Sequence, residues 1–488
     1  MSASSSEVQE LLARLVAFDT TSAKSNLELI AFVKTYLDGY GVASTLIPSA
    51  DGAKASLFAT IGPAGEGGIG LSGHSDCVPV EGQTWSSDPF KLQLRDGKLY
   101  GRGSCDMKGF LASVLASVPL FTSRELKEPV HIIVSYDEEV GCTGVRPLIA
   151  RLGSDLPRPR VIIVGEFTGM AVIDAHKRID AYRTVVSGRE ADSGLPQLGV
   201  NAISFACELI GEIDRIGAVL ESRETNNRFE PPFSTLQVGT IKGGTATSIV
   251  PNTCEFHWQV RSLPDAEPDF ALKQLKAYAE QTLLPRMRRV APTTSIETQN
   301  RGSVPAFLAK PGSEAVALAR ALTRANATST VSYGTEAGLF EEAGCPTVVC
   351  GPGATEQAHV ADEFVVTAQL FTGPLALRRL RGPNDLTAAP YSRRRFRRSA
   401  AMSRLRFSNV ARVSTASGSI SWESSDRLTI EFPPIAARAT SAPRLRPTGL
   451  ISGVSNNHRR ICFINYAVNP RHDWNPLLSI TRSGTVPS

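Results

Sequence analysis

Apolar residues recur along the first 375 positions in two alternating rhythms. Leu27–Leu37 (LELIAFVKTYL) carries them at helical spacing. Asp106–Phe121 (DMKGFLASVLASVPLF) reads as a second helix, opened by a carboxylate that the helix dipole favours. Between such stretches stand short β-branched runs: Gly68–Gly73 (GIGLSG), Val130–Tyr136 (VHIIVSY), Val161–Val164 (VIIV) and Thr347–Cys350 (TVVC). Uninterrupted apolar runs of this length predict strands buried on both faces of an α/β sheet. From Tyr182 to Arg289 the texture changes. A strand (Ala181–Val186), a helix (Asn201–Ile216), two strands (Ser234–Ile241 and Cys254–Val260) and a helix (Phe270–Leu284) follow in a βαββαβ-like order. That order predicts a small inserted domain. The expected fold class is α/β, a mixed-sheet domain over residues 1–176 and 290–375 with a ferredoxin-like α+β domain over 177–289. The larger domain resumes through the helix Ser313–Ala325 and ends near Leu370.

Composition narrows the class. Hydrophobic residues make up 42% and charged residues 20%, a balance that supports a packed core. No window approaches eighteen consecutive apolar residues, and MSASSSEVQELLARLV lacks the basic start and apolar run of a secretory leader. A cytoplasmic protein without a membrane partner is expected. The cysteines (77, 105, 142, 207, 254, 345, 350, 462) form no CxxC pair, which favours reduced thiols.

Charge divides the chain. Residues 376–488 hold 19 Arg, no Lys and 5 acidic residues, a net of +14, which leaves the first 375 residues at −9. An acidic body gives no reason to expect nucleic-acid binding. The Arg-rich tail shows neither apolar period, and two origins compete for it: a disordered arm for acidic partners, or off-frame translation of a GC-rich gene end. The abrupt loss of Lys favours the second. A nucleic-acid arm would need aromatic platforms or a folded reader, and the tail shows neither.

The chemistry stands directly after the apolar runs. His74 and Asp76 follow GIGLSG, Glu138 and Glu139 follow VHIIVSY, and Glu166 follows VIIVG. His359 lies beyond TVVCGPG, and Asp106 follows the Gly-rich YGRGSC. Ligand sites of open α/β sheets gather at the carboxyl ends of the strands, so these segments can deliver acids and imidazoles to one crevice. Carboxylates gathered there repel one another and call for a cation. Nitrogen and oxygen donors without thiolate suit Zn, Co or Mn.

SGHSDCVPVEGQTWSSDPF, LYGRGSCDMKGFLA, SYDEEVGCTGVRPLI, VGEFTG and YGTEAGLFEEAGCPTVVCGPGATEQAHVADEFV occur in this order between about residues 7 and 370. These blocks resemble those of the dinuclear zinc peptidase and deacylase family. DMKGFLA, GTEAGLF and the CGPG to EQAH segment are most similar to its branch that deacetylates N-acetylornithine in arginine biosynthesis. The resemblance implies two Zn or Co ions per chain. His74 and Glu166 would hold one, Glu139 and His359 the other, with Asp106 bridging. It implies Asp76 as the residue that fixes the His74 tautomer, Glu138 as general base and Arg261 as the grip on the substrate α-carboxylate. It also implies a homodimer formed through the inserted lid domain. Two positions depart from the family pattern. Where the family motif R-x-A-H-S-x-x-P has an oxyanion-donating His, this chain has Asp192. Where G-G-T-x-x-N-x-V-P has a substrate-side Asn, it has Ser248. Another acyl-amino-acid hydrolase or dipeptidase, or a metal-binding homologue weakened in turnover, therefore remains as an alternative.

Overall fold

The computed structural model describes residues 5–123 and 125–370, together with four short strands further on. Nine strands form one mixed sheet. Its path runs Ser44–Pro48, Ala55–Ile61, Val130–Ser135, Ile69–His74, Val161–Val164, Thr347–Val349, Ile173–His176 and Phe307–Leu308, with Ser329–Val331 also paired to Ile173–His176. The four central strands run parallel, and every residue in them is buried. That two-sided burial is why each reads as an unbroken apolar run rather than an alternation. Antiparallel strands flank them on both sides. Since the central strands share one direction, their carboxyl ends share one edge of the sheet.

One expected helix is two. The stretch Asp106–Phe121 folds as Lys108–Leu115 and Val118–Thr122, with Pro119 in the first turn of the second. Proline has no N–H to give and its ring collides with the carbonyl four residues back, so the helix stops and restarts. Asp106 lies outside the first helix, whose N-cap position is Met107.

The second sheet has four strands in the order Thr235–Gly243, Thr253–Ser262, Arg178–Ser187, Ser295–Val304, all antiparallel. The helices Ala202–Arg223 and Phe270–Tyr278 contribute Leu209, Ile213 and Leu275 to a core with Tyr182, Phe256 and Trp258. The Asn201 side chain caps the first helix by accepting from Ser204 N. Connection and strand order are those of a ferredoxin-like unit. Its fourth strand lies beyond the boundary expected at residue 289, because SIETQNRGSV is polar and its residues are mostly exposed or half-buried. Only main-chain pairing with Arg178–Ser187 makes it a strand.

Beyond residue 370, Ser419–Ser424 pairs with Arg427–Glu431 and Ile451–Ser455 with His458–Cys462. The sequence reading has no such hairpins in the Arg-rich tail. The remainder of that tail, and with it the question of its origin, falls outside the described residues. Among those described, no helix is long and apolar enough to cross a membrane.

Candidate metal centre

The strand Ile69–His74 ends on an imidazole that is 1% exposed. His74 Nε2 lies 2.9 Å from Asp106 Oδ1 and 4.0 Å from Glu166 Oε1. The other oxygen of Asp106 lies 2.8 Å from His359 Nε2, which is in turn 3.2 Å from Glu139 Oε2. A buried aspartate thus offers one oxygen to each of two imidazoles, and each imidazole has a further glutamate beside it. The structure brings all five residues read as ligands into one cluster. Ligand atoms of His74, Asp106 and Glu139 fall within 4.8 Å of one another.

Local backbone sets these directions. The strand Val130–Ser135 turns at Asp137, whose φ of 53° is left-handed. The Lys54 ammonium pairs with the Asp137 carboxylate, and the N–H groups of Gly141 and Cys142 donate to Glu138 O. Glu138 and Glu139 are held at the crest of that turn. Cys142 Sγ lies 3.4 Å from Glu138 Oε1. Glu166 is carried in by Gly165, where a Cβ would stand 2.1 Å from the Phe110 ring. Only glycine lets that strand end pack so closely on the helix Lys108–Leu115.

Asp76 stands beside His74 through both its main chain and its carboxylate. His74 Nδ1 is nearer its main-chain oxygen (3.0 Å) than its carboxylate (3.5 Å). The carboxylate also accepts from Ser22 Oγ (2.7 Å), Glu138 N (3.2 Å) and Glu139 N (3.3 Å), so it pins the turn that carries the two glutamates. Such contacts to the residue beside a ligand fix its orientation.

The electrostatics fit a cation. Burial, with Glu166 beside it, pushes Glu138 well above the usual carboxylate range. Burial and then Asp106 raise Glu139 to about 7 and lift Glu166 well above its ordinary value. Burial also opposes ionisation of Asp106, but His359 and His74 outweigh it and lower the group to about 2. His359 is raised to about 11 by hydrogen bonding to Asp106 and then Glu139. Glu139 Oε1 and Glu166 Oε1 are buried with no hydrogen-bond partner. Buried carboxylate oxygens without a donor are costly unless a cation serves them, so the donor set fits divalent metal. The His359 side chain is half-exposed and marks the open side of the cluster.

Arg261, on the second sheet, reaches across to donate from Nη1 to Ser332 O at 3.2 Å. Ser332 precedes Tyr333, whose ring stands 4.9 Å from Phe167, and Phe167 in turn lies 6.3 Å from the His359 ring. Asp192 and Ser248 are not brought to the cluster. They lie exposed on neighbouring loops of the smaller unit, where Ser193 N donates to Ser248 O and Asp192 Oδ1 accepts from Gly194 N at 2.8 Å. Sequence reasoning passed over Glu363, Arg102 and Glu336. Glu363, four residues after His359, is fully buried and accepts from Cys105 N (2.8 Å) and Asp106 N (3.1 Å). The acids of ADEF were a signal, but only the fold shows which one turns inward. Glu336 is buried near His74 with one oxygen unpartnered, and burial raises it to about 7.

Comparison with known proteins follows the same lines. Residues 70–380 match the model of peptidase family M20/M25/M40. The chain is 33% identical over 370 residues to an acetylornithine deacetylase of Myxococcus xanthus, covering 74% of this chain and 92% of the relative. It is 35% identical over 364 residues to that of Proteus mirabilis, covering 73% and 91%. Among solved structures, the aminopeptidase PepT of Bacillus cereus matches with a TM-score of 0.59 at 20% identity, over 77% of this chain and 97% of the other. The Sulfolobus solfataricus metallo-carboxypeptidase Sso-CP2 does so with 0.59 at 18% identity, over 76% and 97%. These two likenesses concern the fold.

Proposed function

From the premise that this chain belongs to peptidase family M20/M25/M40, a hydrolase of amide bonds, we propose that it cleaves N-acetyl-L-ornithine to L-ornithine and acetate in arginine biosynthesis. The observation that carries the reading is Asp106 between two imidazoles, with unpartnered glutamate oxygens on either side. The similarity to acetylornithine deacetylases over nine-tenths of their length supports the substrate. His74 and Glu166 would hold one divalent ion and Glu139 and His359 another, with Asp106 placed beside both imidazoles. Bound Zn or Co would polarise the amide carbonyl and make water more acidic.

The chain's own groups do the rest. Glu138 is not among the ligands, and its carboxylate is free to take a proton from the attacking water and return it to the leaving amine. The pressure of burial and neighbouring carboxylates on Glu138 suits a group that must both accept and give up a proton. Arg261, half-buried and held by Ser332 O, offers a planar fork to a substrate carboxylate. The cytoplasmic enzyme pairs through its smaller sheet. The edge strand Thr235–Gly243, with exposed Ile241, supports that surface.

A steady-state assay with elemental analysis tests the reading. About two metal ions per chain and turnover of N-acetylornithine are expected after reconstitution with Zn or Co, and His74→Ala should lose metal. A near-zero metal ratio in the wild type would defeat the metal reading. Turnover of a different acyl-amino acid or dipeptide alone would defeat the substrate. Full loading without turnover on any N-acyl amino acid would favour a metal-binding homologue, the second reading that Asp192 and Ser248 motivate.

A further inference from the structure

His74 and Glu166 need no special support. Each sits at or just beyond the end of a parallel strand hydrogen-bonded into the large sheet. Asp106 and His359 have no such frame. Asp106 precedes the helix Lys108–Leu115, and His359 stands in a loop with a left-handed φ of 63°. Left-handed backbone at a side-chain-bearing residue persists only when its surroundings over-determine it.

A buried ion pair lies between these two irregular segments. Arg102 and Glu363 are both fully buried, with Arg102 Nη1 2.6 Å from Glu363 Oε2. The second oxygen of Glu363 accepts from the N–H groups of Cys105 (2.8 Å) and Asp106 (3.1 Å). The second terminal nitrogen of Arg102 donates to Gln83 Oε1 at 2.5 Å and to Pro79 O at 3.2 Å. Gln83 Nε2 then donates to His359 O at 2.9 Å. Trp85 covers the guanidinium, 5.0 Å from ring centroid to Cζ. A continuous path of hydrogen bonds therefore runs from the main chain of Asp106 to that of His359 without touching His74 or Glu166. Arginine suits the junction, because its rigid fork serves carboxylate, amide and carbonyl at once.

We propose that Arg102, Glu363 and Gln83 form a positioning clamp that sets Asp106 against His359 and thereby governs the metal site built from Asp106, Glu139 and His359 more than the one built from His74 and Glu166. The inference rests on the two-metal reading above. Groups one step behind metal ligands typically change affinity by about 10- to 100-fold when removed. Gln83→Ala, at a half-buried position, cuts the arm to His359 and removes an acceptor from Arg102 and Trp85, but leaves the Arg102–Glu363 pair in place, so the fold should survive it. Glu363→Gln keeps the volume but turns an amide donor toward Arg102 or toward the two N–H groups.

The test is a stepwise Zn or Co titration of the full chain, read by calorimetry and, for Co, by visible absorption, beside the melting temperature of the metal-free protein. The binding step that His359→Ala abolishes should loosen by about 10-fold in Gln83→Ala and by up to about 100-fold in Glu363→Gln. The other step should stay within about twofold, and kcat should recover at saturating metal. Two steps of unchanged affinity in a folded Gln83→Ala variant would overturn the clamp while leaving the two-metal reading intact. Equal loosening of both steps would overturn its selectivity. A wild type that binds no metal would overturn the metal reading, and the clamp with it. Should Glu363→Gln fail to fold, Gln83→Ala alone decides the matter.

Discussion

Replacing Glu138 by Gln is expected to lower kcat by about 10²–10⁴, the range carried by one well-placed proton-transfer group. Metal content should stay near the wild-type value. The two neighbouring glutamates make this a sharp test. Glu139 Oε2 lies 3.2 Å from His359 Nε2 and its other oxygen is buried without a partner. Glu138 Oε1 meets the Cys142 thiol and no ligand imidazole among its described hydrogen bonds. Glu139→Ala should therefore lose metal, and with it activity, whereas Glu138→Gln should keep metal and lose turnover. The amide of Gln fills the same space but cannot take a proton from water, so packing is preserved while the chemistry is not. Elemental analysis and single-turnover kinetics on both variants read the two roles separately. Metal loss in Glu138→Gln with full metal in Glu139→Ala would mean that the roles belong the other way round.

Asp192→His is expected to act in the opposite direction, raising kcat by about 10²–10³, or about 2.7–4 kcal/mol, the scale of one oxyanion donor. A carboxylate placed at the lid would repel the negative oxygen of a tetrahedral intermediate, and an imidazole N–H would donate to it. The gain should fall on kcat more than on KM, because the donor matters most where charge develops. The loop can receive the change. Asp192 Oδ1 now accepts from Gly194 N at 2.8 Å, and a His whose Nδ1 takes over that acceptance keeps Nε2–H free. On the homodimer proposed above, the His introduced at 192 would reach the site of the partner subunit. Mixed dimers test this: a wild-type chain paired with an Asp192→His/Glu138→Ala chain should work only at the intact Glu138, facing the altered lid of the other chain, and should show the gain. An unchanged kcat with metals fully loaded would dismiss the idea.

Much of this molecule was legible without coordinates, for a local reason. A strand buried on both faces must be apolar throughout, so the runs before His74, Glu138 and Glu166 announce both the strands and the ends at which chemistry collects. The first five elements of the βαββαβ unit followed from the same logic, since one buried face per element leaves its period in the chain. What the chain alone left open was every feature whose cause lies far away in sequence. Ser295–Val304 is a strand because Arg178–Ser187 offers it main-chain partners, and its own side chains carry little apolar signal. Ile69–His74 lies between Val130–Ser135 and Val161–Val164 through pairings that no local pattern encodes. The carboxylate of Asp76 turned out to pin the glutamate turn because that turn lies against it in space, 62 and 63 residues later in the chain. Arg102 and Glu363, separated by 261 residues, carry no local sign of each other; folding removes both from water and leaves each as the other's partner. Burial patterns are written residue by residue and can be read there. Pairings between distant polar groups acquire their energy only when the fold excludes water from them, and so tertiary structure alone decides them.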